Sequence, residues 1–243
     1  IFVKLKVKDT KNDYIIIWTT TPWTITYNLA VMVNPDLDYV KADVGGENWI
    51  LAKGLAGPVI QAVAERKFKI LKEMKGSELE GLEYEHPWEK EIKNFAELKK
   101  KHKKIHTVIL SEEYVSLDAG SGLVHCAPGC GPEDYEVGQK NDIPPFNNLT
   151  EEGIIPPGMG KFSGLKAKTD DKIFIKALEA TGSLIAITPV EHEYAHCERC
   201  HSPVVFRATK QWFFKTEDLK EKMLAANKGI KWIPESGKNA FNS

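Results

Sequence analysis

Three consecutive threonines, Thr19-Thr20-Thr21, stand between Trp18 and Pro22-Trp23-Thr24 in a chain of 243 residues. A strand that ends at such a run presents hydroxyls together with backbone amides released from the ladder, groups able to hold a carbonyl oxygen or an attacking water. Pro22 enforces the end of the ladder because it carries no N–H. The same letters also fit an ordinary threonine-rich strand end whose hydroxyls bond their own backbone, with Trp18 and Trp23 as core.

A second constellation runs Asp118-Ala119-Gly120-Ser121-Gly122-Leu123-Val124-His125-Cys126-Ala127-Pro128-Gly129-Cys130-Gly131-Pro132-Glu133-Asp134-Tyr135. Glycines and prolines on both sides of a short apolar run force tight turns, which puts His125 at a strand end and Asp134 at the start of the next helix. A carboxylate there can grip an ammonium group, and an imidazole can orient a hydroxyl or water. Taken singly, the two residues have plainer roles, a hydrogen-bonded structural histidine and a helix-start charge. Gly120-Ser121-Gly122 precedes a strand and lacks the third glycine of a dinucleotide loop. A Cys126 or Cys130 thiol nucleophile activated by His125 is disfavoured, because neighbours on a strand face opposite sides.

Two further groups bear on metals and polyanions. His192, His196, Cys197, Cys200 and His201 form a knuckle whose C-x-x-C supplies two thiolates, whereas a structural zinc site takes four ligands. The alternative is a turn with reduced thiols. Lys99-Lys100-Lys101-His102-Lys103-Lys104 suits nucleic-acid phosphates, although a solvated helix face is the commoner meaning of such a run.

Together, Trp18-Thr19-Thr20-Thr21-Pro22-Trp23-Thr24 and the stretch from Gly120 to Tyr135 resemble the editing insertion of isoleucyl-tRNA synthetase, of archaeal type. The resemblance extends to Gln211-Trp212-Phe213 and Trp232-Ile233-Pro234, where the family's chain returns to its aminoacylation domain. Valine enzymes of the same architecture typically carry Arg-Pro-Glu after the first two threonines, so Thr21-Pro22-Trp23 favours isoleucine.

The resemblance implies a post-transfer proofreading hydrolase that removes valine from the 3′ end of mischarged tRNA(Ile). Asp134 would bind the α-ammonium of the amino acid, with Thr20 and Thr21 holding the ester carbonyl and the water. Trp18, Thr19, Trp23 and His125 would line the substrate pocket. Cys130, where bacterial relatives often have histidine, receives no role. No cofactor is required for editing, and Cys197 and Cys200 would be half of a structural zinc site of the full-length enzyme. The partners implied are the tRNA and the parent synthetase, and no membrane. The rival is a zinc-knuckle tRNA-binding module without hydrolysis.

The elements that must position these groups follow from periodicity. Ile1, Val3, Leu5 and Val7 alternate with Lys4, Lys6 and Lys8, the pattern of a half-buried strand. A turn over residues 9–13 then leads into the apolar run 14–18, predicting a hairpin whose second strand lies deeper and ends at the threonines. Further strands are predicted over 29–33, 39–44, 49–52, 68–71, 107–110, 122–126 and 204–208, with Gly45-Gly46 as a hairpin turn. Helices are expected over 58–66, 133–140, 170–181 and 217–227, a charged helix or arm over 89–104, and a long surface loop over 141–164. Ile173, Phe174, Ala177 and Leu178 should share the buried face of their helix. Strands interleaved with a few helices, without regular βαβ alternation, indicate an α+β fold: a barrel-like mixed sheet core with peripheral helices. Residues 1–190 are the expected editing domain and residues 191–243 a return segment carrying the knuckle.

Bulk properties agree. Hydrophobic residues at 42% and charged residues at 28% exclude a disordered chain. With 33 Lys and Arg against 34 Asp and Glu, any polyanion contact must be local. The chain opens without an initiator Met or a secretory leader, which suggests an excised fragment of a cytoplasmic protein, and no apolar run nears the ~20 residues of a membrane span.

Overall fold

The computed structural model describes residues 1–191 and 194–242. Contacts divide the chain into two compact units, Ile1–Ala208 and Thr209–Ser243. The knuckle residues from Tyr194 onward thus belong to the first unit, and His192 lies outside the described residues.

The first unit is built on one mixed sheet, with ten strands among the described residues: β1 (Phe2–Val7), β2 (Asp13–Trp18), β3 (Ala30–Val33), β4 (Asp38–Val44), β5 (Glu47–Ala52), β6 (Lys69–Lys75), β7 (Tyr84–Glu85), β8 (Thr107–Leu110), β9 (Val124–Cys126) and β10 (Leu184–Ala186). Its main path runs β6-β4-β5-β2-β9-β3-β8, and β1 pairs with β2, β7 and β10, so the sheet curls into a half-barrel with helices around it.

Sequence patterning accounts for this pairing. Val3, Leu5 and Val7 of β1 are buried, while Lys4 and Lys6 are half-buried and reach Glu47 and Glu85. The β1–β2 hairpin holds Phe2 opposite Trp18 and Lys6 opposite Tyr14. β2 is central, and its Ile15, Ile16 and Ile17 are fully buried, the condition under which alternation gives way to a continuous apolar run. Gly45 and Gly46, both at positive φ, close the β4–β5 hairpin.

One pairing positions the site. β2 and β9 run parallel, with Trp18 opposite Val124. Parallel neighbours leave a sheet at the same end, so the threonines after Trp18 and the turn after Cys126 are delivered to one edge. On the way into β9 the chain also passes close to β5 at Gly122, where φ is 74° and an added Cβ would lie 2.2 Å from that of Ala52.

Several expectations are corrected. The region 141–164 is irregular but packs inward: Ile143, Leu149, Ile155, Met159 and Phe162 are buried, and Phe162 stacks on Phe174. In the helix Asp171–Ala180 the buried face is Phe174, Ala177 and Leu178, while Ile173 is 45% exposed. No strand forms over 204–208; the knuckle closes with a bridge between His196 and Pro203. The helix expected over 58–66 begins earlier, as Lys53–Ala56 continuing into a wider π-helical stretch, Gly57–Val63.

Candidate active site

The chain leaving β2 turns into a short 3-10 helix, Pro22–Tyr27, buried along its whole length. Pro22 at its first position needs no N–H acceptor. Thr21 occupies the N-cap yet makes no side-chain cap bond, so its hydroxyl is not consumed by the helix end. That hydroxyl lies 3.4 Å from the hydroxyl of Thr20, and the Thr19 hydroxyl accepts the Thr21 N–H at 3.1 Å.

From β9, the turn 127–131 leads into the helix Pro132–Lys140, which carries Asp134 in its first turn. The Asp134 carboxylate accepts the Ala127 N–H at 3.2 Å, which ties the helix start back to the strand end. The inward-packed segment 146–149 braces this turn. Asn147 donates to the Gly129 carbonyl at 2.8 Å, and an added Cβ at Gly129 would lie 2.5 Å from the Asn147 Cβ.

The two deliveries meet in a cleft of about 570 Å³. Thr19, Thr20, Thr21 and Asp134 all line it, as do Trp18, Trp23, His125 and Cys130. The sequence-derived site residues, two constellations far apart along the chain, are therefore brought together. Cys197 and Cys200 are not among the lining residues, but the knuckle contributes Tyr194, Val204 and Phe206 to the wall.

Burial raises the Asp134 carboxyl to about 6, with the Glu133 charge adding to the rise and the Ala127 N–H opposing it. The group is ionised at neutral pH, but at a desolvation cost that a cationic ligand would offset. Burial lowers the His125 imidazole to about 4, so it is neutral. Both ring nitrogens are occupied inside the protein: Nε2 lies 2.9 Å from the Thr24 hydroxyl and Nδ1 lies 2.8 Å from the Asn28 amide. His125 therefore shapes the wall, and its two nitrogens are spent on the protein.

The same bonds leave no imidazole nitrogen for a thiol nucleophile. Cys126 is fully buried, and burial pushes its thiol far up; burial likewise pushes up Cys130, helped by the nearby Asp134 charge. Thr24 and Asn28 escaped assignment from sequence, although Thr24 lies within the quoted motif. Asn28 has only one signal, a polar residue shortly before the buried run of β3.

Cys197 and Cys200 supply two thiols, and among the described residues no group of three or more His, Cys, Asp and Glu could hold a metal ion. The pair fits half of a four-ligand zinc site, whose other ligands would have to come from elsewhere.

The family model described as tRNA synthetases class I (I, L, M and V) matches residues 3–243. The chain belongs to this family. Among class I tRNA synthetases it is similar to the isoleucine–tRNA ligase of Pyrococcus furiosus, 43% identical over 248 residues that cover 100% of this chain and 23% of the relative. The isoleucine–tRNA ligase of Methanocaldococcus jannaschii is 42% identical over 245 residues, covering 96% of this chain and 23% of that protein. The chain thus spans about a quarter of the length of these curated relatives. These matches bear out the resemblance to isoleucyl-tRNA synthetase. Among solved structures, the CP1 region of a leucyl-tRNA synthetase (GlLeuRS-CP1) superposes with a TM-score of 0.57 at 16% identity, over 79% of this chain and 98% of that one. The fold of this class I synthetase chain is that of a CP1 region.

Proposed function

We propose that the cleft is a post-transfer proofreading site that hydrolyses the ester joining valine to the 3′ end of tRNA(Ile). The observation that carries this reading is the presence of Thr20, Thr21 and Asp134 on one cleft, supplied by the parallel strands β2 and β9. Ionised Asp134 would hold the α-ammonium of the amino acid. The Thr20 and Thr21 hydroxyls would position the ester carbonyl and a water, which attacks the carbonyl carbon while the tRNA hydroxyl leaves. Positioning and hydrogen bonding supply the catalysis, and no side chain becomes acylated.

Selectivity rests on size. Excluding one methylene sterically is easier than attracting it, a principle for which isoleucyl-tRNA synthetase is itself the standard example. The wall formed by Trp18, Trp23 and His125 would then admit valine and reject isoleucine. The tRNA and the remaining parts of a longer synthetase are the partners in this reading, set in the cytoplasm. Exposed Lys100, Lys101 and Lys103 are available to phosphates. No helix among the described residues is long and apolar enough to cross a membrane.

The test is hydrolysis of valyl-tRNA(Ile) and isoleucyl-tRNA(Ile) by the purified chain. Faster loss of valine is expected. Equal rates on the two esters would overturn the size sieve, and no hydrolysis of either, with tRNA bound, would favour a binding module.

A further inference from the structure

Behind the threonines lies a hydrogen-bonded chain with a fixed direction. The Thr21 carbonyl is an acceptor only, and the Thr24 hydroxyl donates to it at 2.7 Å. That hydroxyl has no second hydrogen, so across its 2.9 Å contact His125 must be the donor, through Nε2–H. A neutral imidazole protonated on Nε2 has a lone pair on Nδ1, which accepts from the Asn28 amide at 2.8 Å. The other N–H of that amide donates to the Ala30 carbonyl at 2.9 Å, again an acceptor only. The Asn28 oxygen is left facing the phenol of Tyr84, which donates to it at 2.6 Å. Both carbonyl ends demand the same polarity. Burial pushes the Tyr84 phenol far up, so it keeps the proton it donates.

We propose that Tyr84 is a positioning residue of the cleft: by satisfying the Asn28 oxygen it acts with the Ala30 carbonyl to hold the amide with its NH2 on His125, which fixes the Nε2–H tautomer and commits the Thr24 hydroxyl to the Thr21 carbonyl. Tyr84 and Asn28 are each 1% exposed, so an unpaired oxygen there would find no water. Were the amide to turn over, its oxygen would face the Ala30 carbonyl, Nδ1 would need the proton, bare Nε2 would take the Thr24 hydroxyl, and the Thr21 carbonyl would lose that donor. Thr21 would keep only its backbone ties, the Thr24 N–H on its carbonyl at 3.1 Å and its own N–H on the Thr19 hydroxyl, and its hydroxyl, with that of neighbouring Thr20, would be held less firmly. The histidines beside Tyr84 clamp the same segment from below, His86 on the Ile25 carbonyl at 2.8 Å and His106 on the Asn28 carbonyl at 3.3 Å.

The proposal rests on the hydrolytic reading of the cleft, but its decisive readout does not. The full chain with 15N-labelled histidine is compared with Tyr84→Phe, reading the His125 tautomer by long-range proton–nitrogen spectra and valyl-tRNA(Ile) hydrolysis in parallel. The wild type should show Nε2–H alone. Tyr84→Phe, which keeps the Ala30 and Thr21 carbonyls, should show Nδ1–H mixed with Nε2–H, with kcat lowered roughly tenfold and KM little changed. Should Tyr84→Phe not fold, Thr24→Val cuts only the last link and should lower kcat similarly while leaving Nε2–H in place. A wild type carrying Nδ1–H, or a folded Tyr84→Phe that keeps Nε2–H alone, overturns the proposal. A chain with the expected tautomers but no hydrolysis overturns the reading of the cleft and leaves the relay standing.

Discussion

Under the proposed proofreading reading, Asp134 sets stability against function on a single carboxyl group. Its folded value of about 6 lies above the about 3.9 of an unfolded aspartate, so folding favours the protonated form. The contribution is fully present below pH about 3.9 and is lost as pH rises through about 6, which makes the ionised group a cost at neutral pH. Asn at this position does not titrate and can still accept the Ala127 N–H. Asp134→Asn should therefore melt a few degrees above the wild type at pH 8 and lose that advantage by pH 4, as followed by thermal denaturation across that range. A difference in melting temperature that does not change with pH would show that the carboxyl is not desolvated as described. At this scale the motif threonines, Asp134 and His125 were legible, because glycine, proline and threonine letters mark turns and strand ends. Asn28 and Tyr84 were not. Their bonds to each other and to His125 span 56 and 97 residues, and no local pattern encodes them.

Between elements, the site depends on how closely β9 approaches the strands beside it. Gly122 packs against Ala52 with no space for a Cβ, and its positive φ disfavours any L side chain. Gly122→Ala should cost on the order of 3 kcal/mol, read as a lowered midpoint in urea, with deacylation lost in parallel. An unchanged midpoint would mean that the β5–β9 approach is not tight. The strands β1 to β5 were legible because alternation and Gly45-Gly46 report burial and reversal directly. Region 141–164 was misread for a physical reason: proline, asparagine and glycine letters report the lack of regular structure, and they say nothing about burial. The burial signal lies in the apolar residues among them, Ile143, Leu149, Ile155, Met159 and Phe162. At 204–208 the apolar letters suggested a strand, but Val204 and Phe206 serve the cleft wall instead.

On the scale of the whole chain, the first unit holds the sheet, the cleft and the knuckle, while Thr209–Ser243 forms a second compact unit. The barrel-like mixed sheet was predictable from the run of short strands without regular βαβ alternation; the curl made by β7 and β10 was not, since each is only two or three residues long. A net charge of −1 leaves recognition to local groups, and in the proposed reading the first of them is the Asp134 carboxylate on the cleft. The most direct test pairs a change in the substrate with a change in that carboxylate. Rates are measured on valyl-tRNA(Ile) and on its 3-methylbutanoyl counterpart, which lacks the α-ammonium, using wild type and Asp134→Asn. Wild type should prefer the ammonium-bearing ester by roughly ten- to a hundredfold, the worth of a hydrogen bond to a charged group. In Asp134→Asn that preference should vanish; an equal preference in both proteins would contradict the account.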